Sequence, residues 1–221
     1  VTNAAHGILS MIQVIPDPLS LLENIRMARS SKFVYRMTKR LFDALGAGLA
    51  LIILSPLFPY LAYRIRRDSP GPALFTQERV GKNGKKFMLY KFRTMYTDVE
   101  KYANSPRDDG DPRVTRIGKV LRRYSLDELP QLLNILRGDM SIVGPRPEMP
   151  FIVERYAPWQ KARLRAIPGL TGLWQILGRK DLPLDENLEY DLYYAFNQSF
   201  FLDCAIVLKT IPHLVLPKRA Y

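Results

Sequence analysis

The longest apolar stretch of the chain runs from residue 41 to residue 63 and contains one charged residue, Asp43. A straight helix over this stretch would reach roughly 34 Å, which is long enough to cross a bilayer. Pro56 interrupts it, because proline lacks a backbone N–H and its ring clashes with the preceding turn. The part before Pro56 would reach only about 22 Å, less than the hydrocarbon thickness of a membrane. The pattern therefore predicts a helix that bends near Ser55 and Pro56.

Basic residues flank this stretch on both sides. Lys39 and Arg40 precede it, and three arginines follow it at positions 64, 66 and 67. A helix that crosses a membrane usually carries its excess positive charge on one side only. Two positive ends predict a re-entrant membrane helix over residues 41–63, with Ser55 bonding a freed carbonyl at the bend. A buried core helix is the alternative interpretation.

A β-hairpin is predicted next. The alternating segments 73–80 and 86–93 flank a turn that contains Asn83-Gly84, a strong hairpin signal. Alternation places Met88, Tyr90 and Phe92 on one face, which we expect to face the core. Lys91 and Arg93 share the other face, where two cations are either solvated or line a phosphate site.

The second half of the chain is mostly helical by pattern. Apolar periodicity predicts helices over 113–123, 125–137, 151–166, 185–196 and 201–216. Residues 98–113 and Gly144–Pro147 are expected to be loops, and Pro168–Gly172 a turn. The last helix is apolar enough to lie in a membrane interface or to support self-association. These elements predict an α+β, mostly helical, membrane-associated domain over residues 32–221, with residues 1–31 as a linker or the tail of an upstream region.

The composition restricts the possible partners. The net charge is +12 with a pI near 9.9, which suits nucleic acid, an anionic membrane surface or a phosphate-rich substrate, although a merely soluble basic surface gives the same balance. Aromatic residues are not interleaved with the basic ones, so we do not expect nucleic-acid binding. Cys204 is the single cysteine and is predicted to be a buried, unreactive thiol.

Histidine and cysteine are too scarce for several kinds of active site. With His6 and His213 as the only histidines, a Cys/His zinc site cannot be assembled, and a Ser-His-Asp triad is not favoured. No nucleotide-binding P-loop occurs. Carboxylates, lysines or hydroxyls must therefore carry any chemistry.

The segment Ser125–Gln131 is the sharpest local feature. Ser125 and Glu128 fit a helix capping box, which is a purely structural interpretation, although Pro130 is awkward inside a helix. The same segment also fits a catalytic site. A helix start offers positive potential and free N–H groups for phosphate, and adjacent Asp127 and Glu128 can divide nucleophilic attack from metal or proton handling.

Two other features are candidates for substrate binding. Asp109-Gly110-Asp111 resembles the metal clamp of many nucleotide-sugar glycosyltransferases, although acidic pairs are common in polar loops. Several arginines suit bidentate phosphate recognition, and prolines on both sides restrain the backbone of one of them. These arginines are Arg93, Arg122, Arg146 and Arg179.

Several longer motifs, in order along residues 32–221, resemble the bacterial sugar transferases, which are monotopic phosphoglycosyl transferases. The motifs are Lys39–Asp43, Ser55-Pro56, Gln77–Gly81, Lys91–Met95, Ser125–Gln131, Gly138–Glu148 and Pro168–Gln175.

The resemblance implies a re-entrant helix bent at Ser55-Pro56 and a catalytic dyad, Asp127 and Glu128. It implies that Asp127 attacks the β-phosphate of a UDP-sugar, that UMP leaves, and that a polyprenyl phosphate then takes the sugar-phosphate. It also implies Mg²⁺, with Glu128 as the expected ligand beside Asp127. Phosphate and uridine binding would fall to Lys91, Arg122, Arg146 and Arg179. The expected location is the cytoplasmic face of the bacterial inner membrane.

Two other functions compete with this one. A glycosyltransferase working through Asp109 and Asp111 would release UDP instead of UMP. A non-enzymatic basic module would tolerate the loss of Asp127. No residue that we can name identifies the sugar.

Overall fold

The computed structural model describes residues 32–100, 106, 110–177 and 188–215 of the 221-residue chain. The tail predicted at residues 1–31 lies outside the described residues. The described part combines helices with two small two-stranded sheets, which confirms the predicted α+β class.

Two helices replace the single apolar helix predicted over 41–63. Helix α1 spans Lys32–Leu54 and helix α2 spans Leu57–Asp68, and their axes differ by 63°. Pro56 cannot continue the backbone ladder, and the Ser55 hydroxyl donates to the carbonyl of Ile52 at 2.8 Å. The bend thus lies where the sequence predicts it, although α1 begins nine residues earlier than expected.

The two sides of α1 differ in polarity and packing. Its inner side contacts the rest of the domain: Ala47 is fully buried, and the Asp43 carboxylate accepts the backbone N–H of Ile142 at 2.9 Å. Its outer side exposes large apolar residues, with Ile52 72% exposed and Phe33 69% exposed. Among the described residues no single helix has the length and apolarity of a membrane span, whereas α1 and α2 together have those of a span broken by a bend.

The hairpin forms as predicted but presents the opposite face to the core. Strands β1, Leu74–Val80, and β2, Lys86–Phe92, pair antiparallel around a short 3₁₀ turn, Lys82–Gly84. Phe87 and Leu89 are buried, whereas Met88 is 41% exposed, so the predicted inner face of β2 is wrong. The reason is that α4 (Gln131–Arg137) covers the other face, where the Asn134 amide binds the β2 backbone on both sides of Leu89. Phe92 is buried separately, against Phe58 of α2.

Helix α3 spans Arg116–Arg123 and begins three residues later than predicted. Thr115 caps it, since its hydroxyl accepts the backbone N–H of Gly118 at 3.0 Å. The helix predicted over 125–137 divides into a 3₁₀ turn, Leu126–Glu128, and α4. Pro130 stands at the junction, because it has no N–H to donate within a continuous helix.

The predicted turn at Pro168–Gly172 is wrong. Strand β3, Ser141–Val143, pairs in parallel with strand β4, Gly169–Thr171. The two backbone segments approach so closely that a Cβ on Gly169 would lie 2.0 Å from the backbone nitrogen of Gly144. The sequence pattern misses this pair because each strand has only three residues.

The remaining helices come from residues 150–215. The helix predicted over 151–166 is instead a short helix α5, Pro150–Glu154, and a 3₁₀ turn, Gln160–Arg165, with Pro158 between them. Helices α6 (Leu173–Leu177), α7 (Leu188–Phe196) and α8 (Phe200–Val215) follow.

Cys204 on α8 is exposed, so its predicted burial is wrong.

Candidate active site

Two adjacent carboxylates lie beside two cations at the end of the hairpin. Asp127 is only 6% exposed, and its Oδ2 lies 3.3 Å from Nζ of Lys91, which stands near the end of β2. Glu128 Oε1 lies 3.5 Å from the same Nζ and 3.2 Å from Nη2 of Arg146. Four of the predicted site residues are therefore brought together: Lys91, Asp127, Glu128 and Arg146.

The 3₁₀ turn that carries the dyad begins at an unusual backbone conformation. Ser125 has φ 55° and ψ 22°, in the left-handed region, and its side chain caps nothing. The structural interpretation of Ser125 and Glu128 as a capping box is therefore wrong: the carboxylate of Glu128 reaches Lys91 and Arg146 rather than the backbone of Ser125. A left-handed residue that is not glycine is uncommon and costs about 1–3 kcal/mol, which is typical of functional sites.

Electrostatics keep Glu128 ionised. Burial alone raises the pKa of Glu128, but the Arg146 guanidinium and the Lys91 ammonium together lower it to about 2. The same carboxylate raises the pKa of Arg146. The ionised Glu128 thus lies between two cations in this cluster.

The loop that presents Arg146 is bonded to its surroundings at every residue. The backbone N–H of Gly144 donates to Thr171, and the four carbonyls that follow accept from four different donors. The carbonyls of Pro145 and Glu148 accept backbone N–H groups, and those of Arg146 and Pro147 accept arginine side chains. Residues 144–147 form the predicted irregular loop, and these bonds restrain its backbone together with the prolines.

Comparison with known proteins assigns the chain to a family. The family model "Bacterial sugar transferase" matches residues 34–217, which include the dyad, the hairpin and both arms of the bent helix pair. The chain belongs to the bacterial sugar transferase family.

Related bacterial sugar transferases include proteins of quite different length. The chain is 41% identical over 215 residues to the undecaprenyl-phosphate galactose phosphotransferase of Salmonella typhimurium, covering 90% of this chain and 44% of that protein. It is 42% identical over 200 residues to the exopolysaccharide production protein ExoY of Rhizobium meliloti, covering 84% and 88%. It is 41% identical over 193 residues to the UDP-glucose:undecaprenyl-phosphate glucose-1-phosphate transferase of Caulobacter vibrioides, covering 84% and 72%. The chain thus spans less than half of the Salmonella protein and most of ExoY.

Two of the arginines predicted to bind phosphate have other contacts in this sugar transferase. The buried guanidinium of Arg93 donates to the carbonyls of Ser69 and Pro70, so it fixes the end of α2. Arg122 donates to the carbonyl of Pro106 at 3.4 Å. The phosphate-binding roles of both remain predictions, and Arg179 lies outside the described residues.

The acidic loop that supports the competing interpretation is only half described. Asp111 accepts a fork of hydrogen bonds from Arg113, at 2.9 Å from Nε and 2.6 Å from Nη2, and these bonds lower the pKa of Asp111 to about 2. Both carboxylate oxygens of Asp111 thus already accept hydrogen bonds from Arg113. Asp109 lies outside the described residues.

The dyad fits a cation that is shared with a substrate. Mg²⁺ prefers oxygen ligands and commonly takes one or two carboxylates together with waters and phosphate oxygens. Asp127 and Glu128 supply two such carboxylates, and within the described ranges no group of three or more acidic, histidine or cysteine side chains could hold a metal ion. A cage made of protein ligands alone is therefore not available in that part of the chain.

Sequence analysis missed one group of residues next to the site. Arg163 is 2% exposed and pairs with Asp191 of α7, and its Nη2 also donates to the carbonyl of Arg146 at 2.7 Å. No local pattern marks a contact between residues so far apart in sequence. Lys161 and Arg165 are basic as well, so the local sequence does not distinguish Arg163 from its neighbours.

Proposed function

We propose that this protein transfers a sugar-1-phosphate from a UDP-sugar to a polyprenyl phosphate and releases UMP. The observation that carries the proposal is the buried Asp127 carboxylate, held by Lys91 beside an ionised Glu128 and Arg146. A carboxylate can act as a nucleophile toward phosphorus when it is ionised and when cations offset the charge of the incoming phosphates.

The reaction has two displacement steps. In the first, an Oδ atom of Asp127 forms a bond to the β-phosphorus, and the bond from that phosphorus to the oxygen bridging the two phosphates breaks. UMP leaves with the electron pair, and the sugar-phosphate remains on Asp127. In the second, a phosphate oxygen of the polyprenyl phosphate attacks the same phosphorus, and the bond to Asp127 breaks. The carboxylate is restored, and the product is a polyprenyl diphosphate sugar.

The neighbouring side chains bind and neutralise the phosphates. Lys91 and Arg146 now share the charge of Glu128, and each has further N–H donors that can turn toward a diphosphate. Glu128 and Asp127 would hold Mg²⁺, which when bound neutralises phosphate charge and orients the leaving group. Positioning and charge neutralisation are the main requirements of phosphoryl transfer, so a site without histidine is adequate.

The bent helix pair supports a membrane location. The outer side of α1 is a continuous apolar surface, and the 63° bend lets both basic ends lie on one side of a bilayer. We propose that α1 and α2 form a re-entrant element in the bacterial inner membrane, with the dyad on the cytoplasmic face. A membrane location would bring the dyad to the depth of a lipid-linked phosphate.

The names of the relatives support the acceptor and the donor class. The Salmonella and Caulobacter proteins are both named for undecaprenyl phosphate, and the Caulobacter protein is named for UDP-glucose. The relatives differ in the sugar, with galactose, glucose and N-acetylgalactosamine among their names. We therefore propose a UDP-sugar and undecaprenyl phosphate as substrates, polysaccharide assembly as the context, and leave the sugar open. Homo-oligomerisation stays a prediction.

The identity of the nucleotide product tests the proposal. The full chain in lipid particles is given Mg²⁺, undecaprenyl phosphate and one UDP-sugar at a time, and UMP and UDP are measured separately. We expect UMP with at least one donor, loss of UMP in Asp127→Asn, and normal UMP in the control Asp98→Asn, which changes an exposed aspartate. UDP as the product, or full activity in Asp127→Asn, would contradict the proposal.

A further inference from the structure

Arg163 is buried at the centre of a polar cluster that lies outside the dyad. Its Nη1 donates to the hydroxyl of Tyr156 at 2.8 Å, and its Nη2 donates both to the carboxylate of Asp191 and to the backbone carbonyl of Arg146. One amino group thus joins α7 to the loop that carries Arg146. The guanidinium comes from a third segment, the 3₁₀ turn Gln160–Arg165.

Burial of this ion pair carries a large desolvation cost. Arg163 and Asp191 are each 1% exposed at the side chain, and charges removed from water are costly even when they are paired. Among the described residues, Nε of Arg163 and Oδ1 of Asp191 are buried without a hydrogen-bond partner. Apolar side chains of similar volume would stabilise the domain about as well, so stability alone does not account for the pair.

The contact from Arg163 reaches the site through a single peptide group. Its acceptor is the carbonyl of Arg146, and the side chain of the same residue places Nη2 3.2 Å from Glu128. The flanking carbonyls of Pro145 and Pro147 have other donors, so the Arg146 peptide depends on Arg163. A shift of this peptide would move the guanidinium that faces the dyad.

We propose that Arg163 is a positioning residue for the transfer reaction, which it serves by fixing the backbone of Arg146. Asp191 in turn fixes Arg163. The inference rests on the proposed function, because it concerns the turnover of the site built around Asp127 and Glu128. Neither Arg163 nor Asp191 is required to touch the substrate.

A double-mutant cycle between the two arginines tests this role. Arg163→Lys keeps a positive charge beside Asp191 but removes the fork that reaches both Asp191 and Arg146. We expect kcat for UMP release to fall about 10²-fold, because small displacements of a positioned group have effects of this size, while KM changes little. In the background Arg146→Gln, the same substitution should have almost no further effect. Residual turnover is measured as the transfer of radiolabel from the donor to lipid.

A matched control uses the third contact of the same guanidinium. Tyr156→Phe removes the hydroxyl that binds Nη1 and leaves the contact to Arg146 in place. We expect this variant to keep kcat within about twofold of the wild type, since the Arg146 peptide is undisturbed. An equal loss in Tyr156→Phe and Arg163→Lys would make the effect a general one of the cluster and overturn the proposal.

Other outcomes also decide the matter. Equal losses from Arg163→Lys in the wild-type and Arg146→Gln backgrounds, or no loss at all, would overturn the inference. Asp191→Asn provides a second test if Arg163→Lys does not fold, and it should show the same dependence on Arg146. Failure of both variants to fold would make the pair a folding element and also overturn it. An inactive wild type, by contrast, would count against the proposed function itself.

Discussion

Nζ of Lys91 lies 3.3 Å from Oδ2 of Asp127, although the two residues belong to different elements of the fold. The strand β2 supplies the cation and the 3₁₀ turn after α3 supplies the carboxylate. Lys91 also lies 3.5 Å from Glu128, so a single ammonium group faces both members of the dyad. The reactivity of Asp127 should therefore depend on the position of the hairpin.

Removal of Lys91 should affect turnover more than folding. We expect Lys91→Met to lower kcat for UMP release by about 10²-fold or more, because a half-buried cation near developing phosphate charge has effects of that size. Lys85→Met, which removes an exposed charge at the hairpin turn, is the control and should retain activity. The measurement is steady-state UMP release together with a thermal melt of each variant. Equal activity in the two variants would exclude a role for Lys91.

Glu128 should make stability depend on pH in the acidic range. Its pKa is about 2 in the folded protein against an ordinary value of 4.5, so the folded state binds that proton more weakly than the unfolded chain does. The stabilisation is complete above about pH 4.5 and is lost as the pH falls toward 2. We therefore expect Glu128→Gln to melt below the wild type at neutral pH and to approach it near pH 3.

The control for this experiment is Glu154→Gln, which changes an exposed carboxylate on α5. Its melting temperature should differ from that of the wild type by about the same small amount at both pH values. A gap between Glu128→Gln and the wild type that stays constant, or widens, as the pH falls would contradict the assigned pKa.

The bend at Pro56 should determine on which side of the membrane α1 begins. In a Cys204→Ser background, the single substitutions Arg36→Cys and Arg67→Cys mark the two ends of the bent pair. Both should react with a membrane-impermeant thiol reagent only from the cytoplasmic side. Adding Pro56→Ala together with Pro59→Ala restores both missing N–H groups and favours one straight helix, so Arg36→Cys should become reactive from the other side. Labelling of the two ends from opposite sides without Pro56→Ala would rule out a re-entrant element.

Gly144 should not tolerate a side chain. A Cβ at this position would lie 2.2 Å from the carbonyl oxygen of Ile167, which belongs to the backbone and cannot rotate away. We expect Gly144→Ala to lower the free energy of unfolding by about 1–3 kcal/mol and to reduce UMP release, since the loop with Arg146 must shift. Gly48→Ala is the control, because its Cβ would meet Leu136 at an ordinary 3.9 Å. Chemical denaturation of both variants makes the comparison, and similar midpoints would contradict it.

Local sequence patterns predicted those elements that are determined by a few neighbouring residues. The bend at Ser55-Pro56, the hairpin around Asn83-Gly84 and the irregular loop at 144–147 all have local signals of this kind, and all are present. The pairing of β3 with β4 has none, because it depends on backbone contact between glycines far apart in sequence.

The residues of the site also divide into those that the sequence indicated and those that it did not. Resemblance in sequence indicated Lys91, Asp127, Glu128 and Arg146, and the structure brings them together. The capping-box interpretation was wrong because tertiary partners compete for the Glu128 carboxylate. The inner face of β2 was misjudged because α4 packs against Phe87 and Leu89. Which helix covers a strand depends on the whole fold and is not encoded in the alternation of the strand itself.

The loop at residues 144–148, with its hydrogen-bonded carbonyls, also has a thermodynamic consequence. Each of its carbonyls from Pro145 to Glu148 already has a donor within the protein, so its backbone entropy is lost when the chain folds and not when a nucleotide sugar arrives. Less of the binding free energy is then needed to order the loop, and more of it is left to act on the phosphates. The affinity for the donor is thereby linked to the folding of β1, β4 and the 3₁₀ turn that supply those bonds.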